Sequence, residues 1–244
     1  MKELEEVIKQ NRRDFHTVVP FDPATDKISK LDLSEYNHHL TEELYSNTEQ
    51  FMTYINGLKK DAGAKYLIGG YNEKRDIYKR SVLFDIGRKV TPATEKLPVR
   101  EEPRRLHLGI DIWGDAGTKV FAPLGGMMHS KAYHDQFGDY GGTVILQHQL
   151  EMVPFYTLYG HLSKKDISTL RRGEVITRGQ CFGHFGDEKE NGGWPPHLHF
   201  QLVREIGYAE GDYPGVCKES EKIKYLHNSP DPDWIINMMR YCGS

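Results

Sequence analysis

A mainly β protein with a helical N-terminal extension is the fold class this sequence predicts, and three patterns predict it. From Tyr66 onward, short apolar stretches alternate with glycine-rich turns, the pattern of an all-β unit. Before that point Leu44, Thr48, Phe51, Ile55 and Leu58 recur at helical spacing, which places them on one face of a helix. From Gly207 onward, Tyr, Trp and Ile residues interrupt the turn segments, which argues for an ordered wrap rather than a disordered tail. The expected organisation is a helical extension over 1–65, a β core over 66–206 and a C-terminal wrap over 207–244 packed on that core.

Each element has its own local reason. Asp61-Ala62-Gly63 ends the predicted helix, because glycine takes the left-handed capping conformation at little cost. The clearest strands are Val82–Phe84, Lys119–Ala122, Thr143–Leu146, Phe155–Tyr159 and His199–Val203. Turns at Gly114–Gly117, Gly125-Gly126, Gly138–Gly142 and Glu190–Gly193 separate them. Gly117–Gly126 and Gly173–Gln180 each place a short strand between glycine turns, which predicts a compact β-sandwich or barrel with hairpin-like corners.

Composition narrows the function. Hydrophobic content of 38% and charged content of 27% describe an ordinary globular chain. A net charge of −3 gives no basic footprint for nucleic acid, so no nucleic-acid partner is expected. No apolar run is long enough to span a bilayer. The acidic start, Met1–Glu6, lacks the basic segment and apolar core of a secretory signal. Three scattered cysteines are too few for a disulfide framework or a thiolate zinc knuckle. Together these features point to a cytoplasmic setting, or to the cell envelope should an export signal precede this sequence.

The chemistry concentrates in histidines. Alternate residues of a strand share a face, so His197 and His199 point the same way while Leu198, Phe200 and Leu202 can face the core. His107 and Asp111 share parity too, but a straight strand would separate them by roughly 13 Å, too far for one metal. The chain must bend between them, and Gly109 permits it. With one histidine of the later pair, the set is two imidazoles and a carboxylate, the donor mix of catalytic rather than structural zinc. Such a zinc lowers the pKa of water and polarises a carbonyl.

These residues resemble the lysostaphin-like (LytM-type) zinc metalloendopeptidases. His107-Leu108-Gly109-Ile110-Asp111 is similar to the family's first motif, and Gly117-Thr118 through Ala122-Pro123 to the strand after it. Tyr159-Gly160-His161-Leu162 resembles its Tyr-x-His-Leu element, and Pro196-His197-Leu198-His199-Phe200 its closing motif. The resemblance covers roughly residues 80–204 and implies an antiparallel core of the duplicated hybrid motif type. It implies one zinc per chain held by His107, Asp111 and His199, with His161 and His197 as the unligated catalytic pair. The implied substrate is a peptide, in peptidoglycan cross-links or in glycine-containing peptides.

Two departures bear on substrate. The loop before the last motif, Asp187–Pro196, is acidic and carries Trp194, where the family is commonly small and glycine- or serine-rich. Gln201 stands where the family often has glutamate. Tyr133, Tyr140 and Trp194 are candidate cleft-lining aromatics, since aromatic walls with a few polar groups suit a peptide cleft. Asn72 or Glu73, in the polar loop Gly69–Arg75, is a candidate to approach the metal or line the groove, as latent relatives do with a preceding segment. A lipoyl- or biotin-carrier domain is disfavoured, because the turn Gly125–His129 lacks the lysine such a domain needs. The same histidines and carboxylate would also suit a zinc hydrolase of a cytoplasmic peptide or metabolite amide, or a non-catalytic binding or activator member of the family.

Overall fold

The protein is described by a computed structural model over residues 3–85 and 102–243. One eight-stranded sheet organises these residues. Its spatial order is β1 (Ile28–Lys30), β2 (Tyr66–Gly69), β5 (Ile110–Trp113), β12 (His197–Val203), β9 (Val153–Leu162), β8 (Gly141–Leu150), β7 (Gly126–His134) and β10 (Val175–Ile176). All neighbours pair antiparallel except β1 and β2, which run parallel. Two smaller sheets complete the β structure: β6 (Lys119–Phe121) with β11 (Cys181–His184), and β3 (Glu73–Lys74) with β4 (Leu106–His107) and β13 (Val216–Cys217). The sheet-rich expectation holds, as an open sheet rather than a closed barrel.

The helices are short. They are α1 (Leu4–Asn11), α2 (Glu42–Ser46), α3 (Thr48–Asp61), α4 (Lys164–Thr169), α5 (Lys222–Asn228) and α6 (Asp233–Ile236). In α3, Phe51 and Ile55 are buried as their spacing requires. The helix begins where the Asn47 side chain accepts from the Gln50 N–H at 3.0 Å, and it ends at Ala62, before Gly63 at φ +57°. Asn47 thus breaks the helical face between Leu44 and Phe51. Val82–Phe84, read as a strand, is a 3-10 turn instead. The Ser81 hydroxyl caps it by accepting from the Leu83 N–H at 3.3 Å, and Val82 is 69% exposed. Three consecutive apolar residues imitate a buried strand only while their capping is ignored.

Strand parity sorts the two faces of the main sheet. Ile110 and Ile112 of β5 and Leu198, Phe200 and Leu202 of β12 enter the principal core, together with Leu4, Ile8, Val18 and Val19. On the other face Trp113 joins Phe51, Ile55, Tyr78 and Trp194 in a second cluster. Residues 1–65 therefore do more than extend the fold. They supply edge strand β1 and part of both clusters. No helix among the described residues is long and apolar enough to cross a membrane.

Candidate active site

The site lies on the face of the sheet turned away from the principal core. In the β5–β12 register, His199 stands directly opposite Asp111, and in the β12–β9 register it stands opposite Gly160. Two strand pairings therefore bring Asp111, His199 and the His161 region together. His107 arrives from β4, which leaves the main sheet and pairs with β3 and β13. The break falls at Leu108-Gly109, as the spacing argument requires. Glycine is needed at 109 for a second reason, close approach: a Cβ there would lie 2.5 Å from His199 Cε1 and 2.8 Å from the Phe200 carbonyl oxygen.

Three donor atoms converge. His107 Nε2 lies 2.9 Å from His199 Nδ1 and 3.2 Å from Asp111 Oδ1, and His199 Nδ1 lies 3.1 Å from the same oxygen. A tetrahedral ion with bonds of roughly 2.0–2.1 Å separates its ligand atoms by about 3.3 Å, so the triangle has the right size for one metal. The remaining polar atom of each side chain is engaged elsewhere. His107 Nδ1–H donates to the Gly70 carbonyl at 2.8 Å, and His199 Nε2–H donates to Gln201 Oε1 at 3.0 Å. These partners select the tautomers that leave His107 Nε2 and His199 Nδ1 as bare lone pairs. Asp111 Oδ2 accepts from Arg75 Nη1 at 2.5 Å.

His161 and His197 stand beside this triangle with ring centroids 4.1 Å apart. His161 Nδ1–H donates to the Asn191 carbonyl at 2.9 Å and His197 Nδ1–H to the Pro195 carbonyl at 2.8 Å. Both therefore keep Nε2 as an acceptor. Trp113 stacks on His197 at 3.9 Å and fixes the plane of its ring. His161 holds a left-handed backbone, φ +64°, a conformation that costs a non-glycine residue about 1–2 kcal/mol. Strain of this kind persists where the surroundings over-determine it. Here the His161 N–H donates to the Tyr140 carbonyl, and its own carbonyl accepts from the Gly186 N–H, both at 2.8 Å.

Burial sets the charge states. It pulls His107 down to about 3 and His197 to about 4. His161 falls well below the usual histidine range through burial and the nearby His197. All three rings are neutral at pH 7, as ligands and bases must be. Burial works against the Asp111 carboxylate, but the Arg75 guanidinium against Oδ2 opposes it, and the carboxyl stays well below the usual range.

The cleft above these groups has a volume of about 590 Å³, within the range of small-ligand and peptide pockets. Tyr140 and Trp194 line it, whereas Tyr133 and Asn72 are not among its lining residues. Tyr133 lies under the Lys164 ammonium, 4.2 Å from its ring centre. The Asn72 backbone N–H donates to the His107 carbonyl at 3.0 Å, and the Glu73 carboxylate is taken by Arg75 Nε at 2.6 Å. The loop 69–75 is thus close to His107, but it backs the donor set and does not reach across it. Gly70, Arg75 and Trp113 carry no signal of a site role in the sequence. Gln201 had a usable signal, since it follows His199 by one strand period and so shares its face.

Two imidazoles and one carboxylate are a donor set of the kind that holds catalytic zinc, three protein ligands with a fourth position left open. Residues 105–210 match the model described as Peptidase family M23, so this segment is similar to that family. The catalytic domain of the antimicrobial peptidase lysostaphin from Staphylococcus simulans is similar at 24% identity over 49% of this chain and 80% of that one, with a TM-score of 0.35. A zinc containing peptidase from Vibrio cholerae is 25% identical over 49% of this chain, with a TM-score of 0.34, and the match spans 34% of that protein. Helicobacter pylori Csd3 is 22% identical over 50% of this chain and 32% of that one, with a TM-score of 0.32. No curated protein matches the chain.

Proposed function

We propose that this protein is a zinc-dependent endopeptidase whose metal is held by His107, Asp111 and His199, one ion per chain. The observation that carries the reading is the donor triangle, with tautomers fixed by the Gly70 carbonyl and Gln201 so that both free lone pairs meet Asp111 Oδ1. Bound there, zinc would acidify a water and polarise the scissile carbonyl. The chain's own part is proton traffic. A neutral imidazole of the His161–His197 pair accepts the water proton at Nε2 and returns it to the leaving amine. The other member of the pair stabilises the charge that develops on the carbonyl oxygen once its Nε2 carries a proton and can donate to that oxygen. Tyr140 and Trp194 supply aromatic walls for the peptide.

The substrate class that goes with this family is a peptide in peptidoglycan cross-links or a glycine-containing peptide. The domain carrying the activity is residues 66–206, with 1–65 and 207–244 packed against it. Two measurements test the reading. Metal analysis finds about one zinc per chain, and His199→Ala loses it while His161→Ala retains it. Incubation with muropeptides and glycine-containing peptides, followed by mass spectrometry of the fragments, finds cleavage by the wild type and about 10²–10⁴-fold less by His161→Ala. Normal hydrolysis by His161→Ala would remove the role given to that histidine.

A further inference from the structure

Asp111 has two carboxylate oxygens, and they face different partners. Oδ1 meets the two imidazole nitrogens, at 3.2 Å from His107 Nε2 and 3.1 Å from His199 Nδ1. Oδ2 meets Arg75 Nη1 at 2.5 Å, and both side chains are almost completely buried, 2% exposed for Arg75 and 3% for Asp111. The guanidinium is itself oriented. Its Nε donates to Glu73 Oε2 at 2.6 Å, and Nη1 also donates to the Tyr78 hydroxyl at 3.4 Å. Its backbone is fixed as well, since the Arg75 N–H donates to the Arg105 carbonyl at 2.9 Å, next to the β3–β4 pairing.

The chain makes room for this arginine. Gly70, at φ +102°, lies so close that a Cβ there would stand 1.7 Å from Arg75 Nη2. The Gly70 carbonyl meanwhile holds His107 Nδ1. Six consecutive residues, 70–75, thus constrain one imidazole and the carboxylate, and they lie outside the segment that matches the family. A buried ion pair is poor evidence of a contribution to stability, because desolvation consumes most of the Coulombic gain. Its geometric consequence is more specific. A guanidinium at 2.5 Å takes one lone-pair site of Oδ2 and places positive charge beside it, which disfavours a second cation on that oxygen.

We propose that Arg75 is a positioning residue that makes Asp111 a one-oxygen ligand, reserving Oδ1 for the metal by occupying Oδ2. The inference rests on the zinc-site reading above. Glu73 acts one step further out, by aiming the guanidinium.

Cobalt(II) substituted for zinc tests this without reference to turnover, because its visible absorption is intense in four-coordinate sites and weak at higher coordination. Wild-type cobalt protein is expected to show the intense four-coordinate spectrum. Arg75→Met frees Oδ2 to join the metal, and the band should lose intensity several-fold. Arg75→Lys, which restores a donor to Oδ2, should return part of it, and Glu73→Gln should fall between wild type and Arg75→Met. A folded Arg75→Met protein that binds cobalt with the wild-type spectrum overturns the proposal. Should that variant fail to fold by circular dichroism, a wild-type spectrum in folded Arg75→Ala, which also leaves Oδ2 without its donor, overturns it equally. Wild type that takes up neither zinc nor cobalt sinks the metal-site reading itself, and this inference with it.

Discussion

Replacing Gln201 with leucine removes the acceptor that fixes His199 while leaving all three proposed ligands in place. Gln201 is fully buried on β12, and its Oε1 accepts from His199 Nε2–H at 3.0 Å. Its amide donates to the Pro214 carbonyl at 3.2 Å and to Ser229 Oγ at 2.9 Å. Loss of that acceptor lets the His199 proton move to Nδ1, where it blocks the lone pair facing His107 and Asp111. Outer-shell partners of this kind are worth about 10–100-fold in metal affinity, or about 1.4–2.8 kcal/mol. A second cost of about 1–3 kcal/mol falls on folding, from the buried polar partners left without Gln201. The two effects separate experimentally. Competition with a chromogenic chelator gives the zinc affinity, and thermal melting of the metal-free protein gives the stability loss. Gln201→Glu keeps an acceptor for the Nε2–H and should retain zinc. Folded Gln201→Leu with wild-type affinity would refute the argument that this hydrogen bond selects the metal-binding tautomer.

Three further perturbations have equally definite outcomes. Gly109→Ala forces a Cβ against His199 and the Phe200 carbonyl, so it should cost about 1–3 kcal/mol in thermal melting and displace His199 enough to weaken zinc retention. Arg80→Met should loosen the loop behind the His161–His197 pair. The Arg80 guanidinium lies 4.4 Å from the Trp194 ring, and its Nη2 donates to the Gly193 carbonyl at 2.9 Å, so hydrolysis should fall while zinc content stays near one per chain. His148 makes the metal-free fold acid-sensitive. Burial lowers it to about 4, so below about 6.5 the unfolded chain gains a proton that the folded one refuses. Stability therefore falls as pH drops through that window, by about 2 kcal/mol at pH 5 for this group. Melting curves at pH 7 and pH 5 should show that loss, and His148→Gln should reduce it.

The parts of the site that sequence made legible are those governed by strand parity. His197, His199 and Gln201 share a face because a strand repeats every two residues, and the register then sets His199 opposite Asp111. The bend between His107 and Asp111 was legible as a distance that a straight strand could not close. The role of Gly109 in leaving space for His199 was not, because it depends on a neighbour ninety positions away. Arg75 was hidden for a similar reason. Nothing around it forms a motif, and its meaning comes from the β3–β4 pairing that carries it beside Asp111. Edge strand β1 was missed because Ile28–Lys30 is too short to show a period, and only its parallel pairing with β2 defines it. Val82–Phe84 misled for the opposite reason, as an apolar triplet that pairs with no strand among the described residues.

The pairing of β2 with β5 has a consequence for dissection of the molecule. The segment that carries the family motifs, 105–210, does not contain its own neighbours. Excised at those limits, it would bare the β5 edge that β2 covers, an invitation to intermolecular pairing. It would also leave behind the carbonyl that orients His107, the guanidinium on Asp111 and Gly215, the residue whose carbonyl accepts from the Leu108 N–H. Grafting the M23-like segment into another protein therefore means transplanting the flanking chain with it, for the donor site is not coextensive with the recognisable segment.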